Sequence, residues 1–297
     1  MAQLDTIADR QAQWSESANQ LKSTIDRARR AVFILSIFGA LMAALASQML
    51  PPGTNEVLAG SPRTWVAVLG VVCLAAATFF SSRLLGAEHV TGWVRARAIA
   101  ERLKREAFKF AAAAAPYDDA DRDKAAVLLE AERQKIENDG DDLLPKLVAV
   151  AGKGSVPRGP ITQDEYLARR VNGQIDWYKP KADGYRKAAN SLRRIEFSLA
   201  LAATLITAVA SVAGKAPLFG LSFDFAALTA VLTTVAGAVL AHVEASRFDF
   251  LAMTYLATAR RLEDRRNGPH APWSDFVNDC ENILAAENAS WIAKWTK

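Results

Sequence analysis

AVFILSIFGALMAALASQML, from Ala31 to Leu50, holds no Asp, Glu, Lys or Arg over 20 consecutive positions. A helix rises about 1.5 Å per residue, so a run of this length spans a hydrocarbon core of about 30 Å. Three more uncharged runs follow: Thr64 to Ser82, Phe197 to Gly214 and Phe225 to Val243. No water competes for backbone groups inside a bilayer, so each run closes its own hydrogen bonds as a helix. The chain reads as an all-α integral membrane protein. Two transmembrane hairpins, with spans at about 31–50, 64–84, 196–214 and 223–243, carry long helices that extend into a cytoplasmic helical bundle.

Charge sets the orientation. Arg27, Arg29 and Arg30 precede the first run, and Arg83, Arg95 and Arg97 follow the second. Arg186, Lys187, Arg193 and Arg194 precede the third and Arg247 follows the fourth, while the two short connections carry only Arg63 and Lys215. The positive-inside bias places both termini and the long central segment in the cytoplasm, and the short connections outside. The first run starts at Ala31, spans a full bilayer and ends at Pro51 and Pro52 without a processing site, so no cleaved signal peptide is expected. Cys73 lies in the second run and Cys280 in the cytoplasmic tail, so no disulfide between them is expected. A net charge of +4 over 297 residues gives no reason to expect direct DNA binding.

The two halves repeat one plan. Placing Trp14 over Trp177 brings Arg29 and Arg30 close to Arg193 and Arg194, and a second offset sets Ala98, Ala100 and Leu103 over Ala257, Ala259 and Leu262. Each half gives a cytoplasmic helix, a membrane hairpin and a second cytoplasmic helix continuing the second span. The modules are 1–150 and 162–297, with a basic Gly/Pro linker at 151–161.

The cytoplasmic helices show apolar spacing of alternating three and four, a coiled-coil seam. Leu4, Ile7, Trp14, Leu21, Ile25 and Ala28 form the first seam, with Gln11 and Ala18 in the other positions. Trp93, Ala96, Ala100, Leu103, Ala107 and Phe110 form the second. The third contains Val171, Ile175, Tyr178, Ala182, Tyr185, Ala189 and Leu192, and the fourth Phe248, Ala252, Tyr255, Ala259 and Leu262. Asp118 or Asp119 is placed to cap a helix running to about Asn138, and Thr162 with Glu165 forms a capping box. Pro180 should kink the helix that contains it. A last amphipathic helix carries Phe276, Val277, Cys280, Leu284, Trp291 and Trp295.

Little material for catalysis is present. Three histidines and two cysteines offer no metal cluster or nucleophile site. Gly152, Lys153, Gly154 and Ser155 lack both Walker spacing and a preceding apolar strand. Neither an enzyme nor a cofactor is expected. His89, after Glu88, and His242 with Glu244 mark the cytoplasmic ends of the second and fourth spans, either as a gate or as ordinary interfacial polar residues. Within the membrane, Thr204, Thr207 and Ser211 share one face of the third span, and Thr229, Thr233 and Gly237 one face of the fourth. Small and hydroxyl residues at this spacing either let helices approach closely or line a narrow water path. Ser36, Ala40, Ala43 and Ser47 make a comparable stripe in the first span.

YLARRVNGQIDWYKPKA, Tyr166 to Ala182, resembles the signature that opens the later module of the SLATT family, the SMODS- and SLOG-associating two-transmembrane effectors of bacteria. RAIAERLKREAF, Arg97 to Phe108, with APY at Ala115 to Tyr117, is similar to the region after the hairpin in the earlier type of SLATT module. FVNDCENILAAENASW, Phe276 to Trp291, resembles the closing helix. Pro180 in the signature helix and Ala115 in place of a glycine depart from the pattern. The resemblance implies a tandem of two modules acting as a homo-oligomeric effector of a bacterial conflict system. Such an effector forms pores in the inner membrane when a nucleotide second messenger or a separate sensor protein signals invasion.

Arg170, Gln174, Trp177 and Lys181 lie along one face of the signature helix. That face either receives an anionic nucleotide or joins an inter-helix network in which Arg170 or Lys181 pairs with Glu101 or Glu106. The alternative function is a non-conducting membrane scaffold or sensor that recruits partners through its cytoplasmic bundle. The charge pattern expects 53–62 and 216–221 outside the cell. Cysteines introduced at Asn55 and Leu218 should react with an impermeant reagent in intact cells, and one at Asn138 should not; the reverse pattern would invert the topology.

Overall fold

Apolar spacing along residues 4–28 runs into the first uncharged segment without a Gly or Pro between them, and the computed structural model shows one helix, α1 (Ala2–Gln48). The structure describes residues 2–49, 61–150, 154, 156–213, 215–218 and 221–295. The connection expected outside the cell at 53–62 and the Gly152–Ser155 stretch lie largely outside these residues, as do positions 151, 152, 153 and 155 of the linker at 151–161. After α1 come α2 (Pro62–Leu84), α3 (Ala87–Ala111) and α4 (Arg122–Asn138), with a 3-10 turn at Asp141–Lys146. A short α5 (Gln163–Tyr166) passes through a π-helical segment, Leu167–Asn172, into α6 (Gly173–Ala213). The chain closes with α7 (Phe225–Ser246), α8 (Phe248–Asn267) and α9 (Trp273–Trp295).

Between α6 and α7 two short strands, β1 (Lys215–Leu218) and β2 (Leu221–Asp224), pair antiparallel with Lys215 opposite Asp224. Apart from this hairpin the described elements are helical, and four helices are long and apolar enough to cross a membrane.

Several local expectations shift by a turn or less. Asp121, not Asp118 or Asp119, caps α4, its carboxylate accepting from the amides of Asp123 and Lys124. The Thr162–Glu165 capping box forms as expected. Helix α6 runs on through Pro180. The helices expected to continue the second and fourth spans are separate from them. A bend at Leu85 and Gly86 separates α2 from α3, where glycine is a poor helix former. Arg247, left-handed at φ 52°, ends α7 by donating its amide to Val243 and Glu244.

The chain divides into two compact units, each assembled from both halves. The first contains residues 1–25, 87–184 and 250–297. Its interior is the expected seams: Leu4, Ile7, Trp14, Leu103, Ala107, Val171 and Leu262 are all buried. Helix α9 lies along α3, with the Trp93 ring edge-on to Trp291 and Trp295 at 5.0 and 5.1 Å. Its start is tied to the turn after α3, since the Trp273 indole donates to the Ala112 carbonyl at 2.8 Å and the Ala115 amide to Ser274 at 2.7 Å. Trp14 donates to Glu137 at 2.9 Å, and Arg10 and Arg133 pair with the same carboxylate. Gly140 leaves room for that indole, because a Cβ there would collide with Ile99 and the Trp14 ring.

The second unit holds residues 26–86 and 185–249. Here α1 and α2 cross at two glycines. A Cβ on Gly39 would lie 2.7 Å from Leu74, and one on Gly70 3.1 Å from the Gly39 carbonyl oxygen. Helix α1 is joined to α7 at both ends of the span. The Gln48 amide exchanges two hydrogen bonds with the Asp224 backbone, at 2.9 and 3.0 Å, and Phe33 stacks on His242 at 4.6 Å. Ile34, Leu45, Val71, Phe79, Phe197 and Leu205 project outward from the helices, an apolar surface suited to lipid.

Gly70→Leu should therefore force the α1–α2 crossing apart and cost about 1 to 3 kcal/mol by overpacking. A Cβ on Gly237 meets nothing within 4 Å. In SDS titration of the detergent-solubilised, monomeric protein, Gly70→Leu should lower the unfolding midpoint and Gly237→Leu should leave it unchanged.

Candidate functional site

The signature helix contributes to the first unit through its first turns, and the π segment sets its register. Arg170 sits in that segment with a relative exposure of 2%. Its Nε and Nη2 donate to the two Glu281 oxygens at 2.9 and 2.7 Å, and Glu281 is 1% exposed. Tyr166 adds a hydrogen bond to Glu281 at 3.1 Å, and the Arg170 guanidinium lies 4.8 Å from the Phe108 ring centre. Burial opposes the guanidinium charge, but Glu281 overrides it and holds the Arg170 pKa above its ordinary value. The partner is thus Glu281 on α9. Of the carboxylates expected at this place, Glu106 binds Arg105 and Tyr117, and Glu101 only contributes to the local field. The Arg170 Nη1 has no hydrogen-bond partner among the described residues, and Arg170 borders a cleft of about 300 Å³ shared with Arg102 and Arg105.

A second cavity, of about 330 Å³, opens among α1, α3, α6 and α9. Gln174 and Trp177 line it; Arg170 and Lys181 do not. Lys22, Arg97, Lys104 and Arg169 face it, against the carboxyl groups Glu101 and Glu287. Trp177 remains 41% exposed, its ring 5.2 Å from Tyr255. Burial lowers the Lys104 pKa, Glu101 opposes that shift, and the Arg170 charge adds to it. Burial tends to raise Glu101, but Lys104, Arg97 and Arg170 hold it below the usual carboxylate value.

Glu287 behaves in the opposite sense. Only 7% exposed, its carboxyl is raised to about 7 by burial, against the field of Arg97. Tyr178 donates to its Oε2 at 3.3 Å, and its Oε1 is buried with no hydrogen-bond partner among the described residues.

The remaining expected residues lie on α7, on the membrane part of α6, and beside α1. Thr204, Thr207, Ser211 and Thr233 are exposed and Thr229 half-buried; each hydroxyl donates to a backbone carbonyl three or four residues earlier. This back-bonding satisfies each hydroxyl within its own helix. His89, in the first unit, borders a small groove with Gln20, Thr24 and Lys146. His242, in the second, is half-buried against Phe33, and Glu244 is exposed. No group of three or more His, Cys, Asp or Glu side chains able to hold a metal occurs among the described residues.

Residues 166–291 match the family described as SMODS and SLOG-associating 2TM effector domain 1. The chain carries a SLATT domain. Residues 12–125 match a second family, described as a protein of unknown function (DUF4231), and the two matches in succession are consistent with a tandem of two modules. No curated protein and no solved structure matches the chain. The SLATT domain supplies Gln174, Trp177 and Glu287 to the larger cavity, and the preceding match supplies Lys22, Arg97, Glu101 and Lys104.

Sequence reasoning missed Glu281, Glu287, Arg97 and Lys104. Arg97, Glu101 and Lys104 do fall at i, i+4 and i+7, immediately beside the α3 seam, and charges so close to a core stripe were the available signal. Breaking the buried pair from one side should be severe. Arg170→Met leaves Glu281 buried without its counter-ion, a loss of about 3 to 5 kcal/mol. The double variant Arg170→Met, Glu281→Met should recover most of it in thermal unfolding followed by circular dichroism.

Proposed function

We propose that this SLATT-domain protein is a homo-oligomeric effector of a bacterial conflict system, which opens a conducting path through the inner membrane when a nucleotide signal or a partner sensor engages its cytoplasmic helices. The observation that carries the reading is the unfilled hydroxyl faces of α6 and α7. Thr204, Thr207 and Ser211, and Thr233 with Gly237, are exposed, and a Cβ on Gly237 would meet only open space. In a bilayer, faces of small and hydroxyl residues are suited to neighbouring helices or to water rather than to lipid. Copies of the chain assembled through such faces supply both. Both termini then lie in the cytoplasm, as the arginines flanking the spans favour.

A second reading keeps the assembly but not the conduction. It draws on the back-bonding of the hydroxyls, which leaves few donors for water. In that reading the protein is a membrane scaffold or sensor.

Release of ions or dye from proteoliposomes separates the two. The effector should release contents with cyclic oligonucleotides or cell lysate, and Thr207→Val and Thr233→Val should lower conductance several-fold while the oligomer persists. Loss of the oligomer in these variants would assign the hydroxyls to packing. Intact liposomes under every condition, with inserted oligomer present, would leave the scaffold.

A further inference from the structure

We propose that a groove between α1 and α2 binds one phospholipid, with its phosphate on Arg63 and one acyl chain laid between the two helices.

The crossing of these helices creates the groove. They touch backbone to backbone at Gly39 and Gly70. Toward the end of α1 and the start of α2 a groove of about 490 Å³ remains between them, in the size range of small-molecule sites. Alanine lines it where a larger side chain would close it: Ala43 and Ala46 on α1, and Ala67 on α2. Val68, Val71 and Val72 add an exposed apolar wall, continuous with the surface suited to lipid.

Polarity runs in one direction along it. Ser47, Arg63 and Thr64 stand at the mouth, where α1 ends and α2 begins, and the lining beyond them is alanine and valine. The Ser47 hydroxyl donates to the Ala44 carbonyl at 2.7 Å, and the Thr64 hydroxyl lies 3.0 Å from that of Ser61. Arg63 supplies the charge. Its Nε donates to the Ala46 carbonyl at 3.1 Å, reaching from α2 to α1. That bond takes one of the five N–H donors of a guanidinium and anchors the fork at the mouth, where Arg63 is half-buried and keeps accessible surface. A phosphate diester matches a guanidinium fork, and an acyl chain matches the apolar lining below it.

Depth selects the occupant. From Arg63 to Val72 the groove follows about 14 Å of α2 at 1.5 Å per residue. This is about half of a hydrocarbon core of about 30 Å, the reach of a lipid in one leaflet. A span from a second copy of the chain runs the full thickness, whereas the contact of Gly39 with Gly70 closes the groove near the middle of the first span. On the topology that the flanking arginines favour, the occupied leaflet is the outer one.

The test is native mass spectrometry of the delipidated, detergent-solubilised full chain titrated with dioleoylphosphatidylglycerol. Dioleoylglycerol serves as the chains without the phosphate, and glycerol phosphate as the phosphate without the chains. One phosphatidylglycerol should bind saturably per chain, with each partial probe about tenfold weaker or more. Arg63→Gln should lower phosphatidylglycerol binding to the level of dioleoylglycerol. Ala67→Phe, which fills the groove, should weaken both lipids about tenfold while circular dichroism shows the helices intact. No lipid held by the folded protein, either partial probe binding as tightly as the phospholipid, or unchanged binding in Arg63→Gln would overturn the proposal. So would a disulfide between two copies of Val68→Cys in proteoliposomes, absent from the unaltered protein, because it would give the groove to a neighbouring helix.

Discussion

A guanidinium leaves water at a cost of several kcal/mol unless a carboxylate is buried with it in good geometry. Arg170 and Glu281 meet that condition with two parallel hydrogen bonds, although 111 positions separate them in sequence. The pair is directional, so it fixes the axial register of the closing helix against the signature helix as well as holding them together. Once that register is set, Tyr178 reaches Glu287.

The membrane part obeys a different rule. Hydrophobic burial gives no reason for two apolar helices to associate in lipid, so contact geometry decides. Gly39 and Gly70 permit α1 and α2 to touch backbone to backbone, while Gln48 and Asp224 exchange hydrogen bonds where α1 ends and α7 begins. Spans from the two halves of the chain are thereby joined within one unit, and neither half is a self-contained body in that layer.

Much of this was legible from residue order alone. The four spans follow from the absence of charge, and the seams from apolar spacing; Leu4, Trp14, Leu103, Val171 and Leu262 are buried as that spacing requires. The tandem plan was legible from the offset of Trp14 and Trp177, and the SLATT character from the motif at 166–182. What escaped depends on distant parts of the chain meeting. Glu281 and Glu287 look like ordinary polar positions of an amphipathic helix until α9 is laid against α3 and the signature helix. The Gly39–Gly70 crossing escaped for a related reason: a stripe of Ser36, Ala40, Ala43 and Ser47 is equally small, and only the contact distances distinguish the glycines beside it. The helix breaks at Gly86 and Arg247 escaped because neither position carries a proline and each lies just before an apolar seam.

The π-helical segment at Leu167–Asn172 holds one residue more per closed ring than an α-helical turn. The wider turn absorbs that residue, which in an α-helix would turn every side chain beyond it by about 100°. The helix thus keeps its packing on both sides: Tyr166, before the segment, and Ile175 and Tyr178, after it, are all buried, with Arg170 turned inward between them. A single-residue deletion there would therefore shift the phase of the buried arginine against its neighbours without changing its identity.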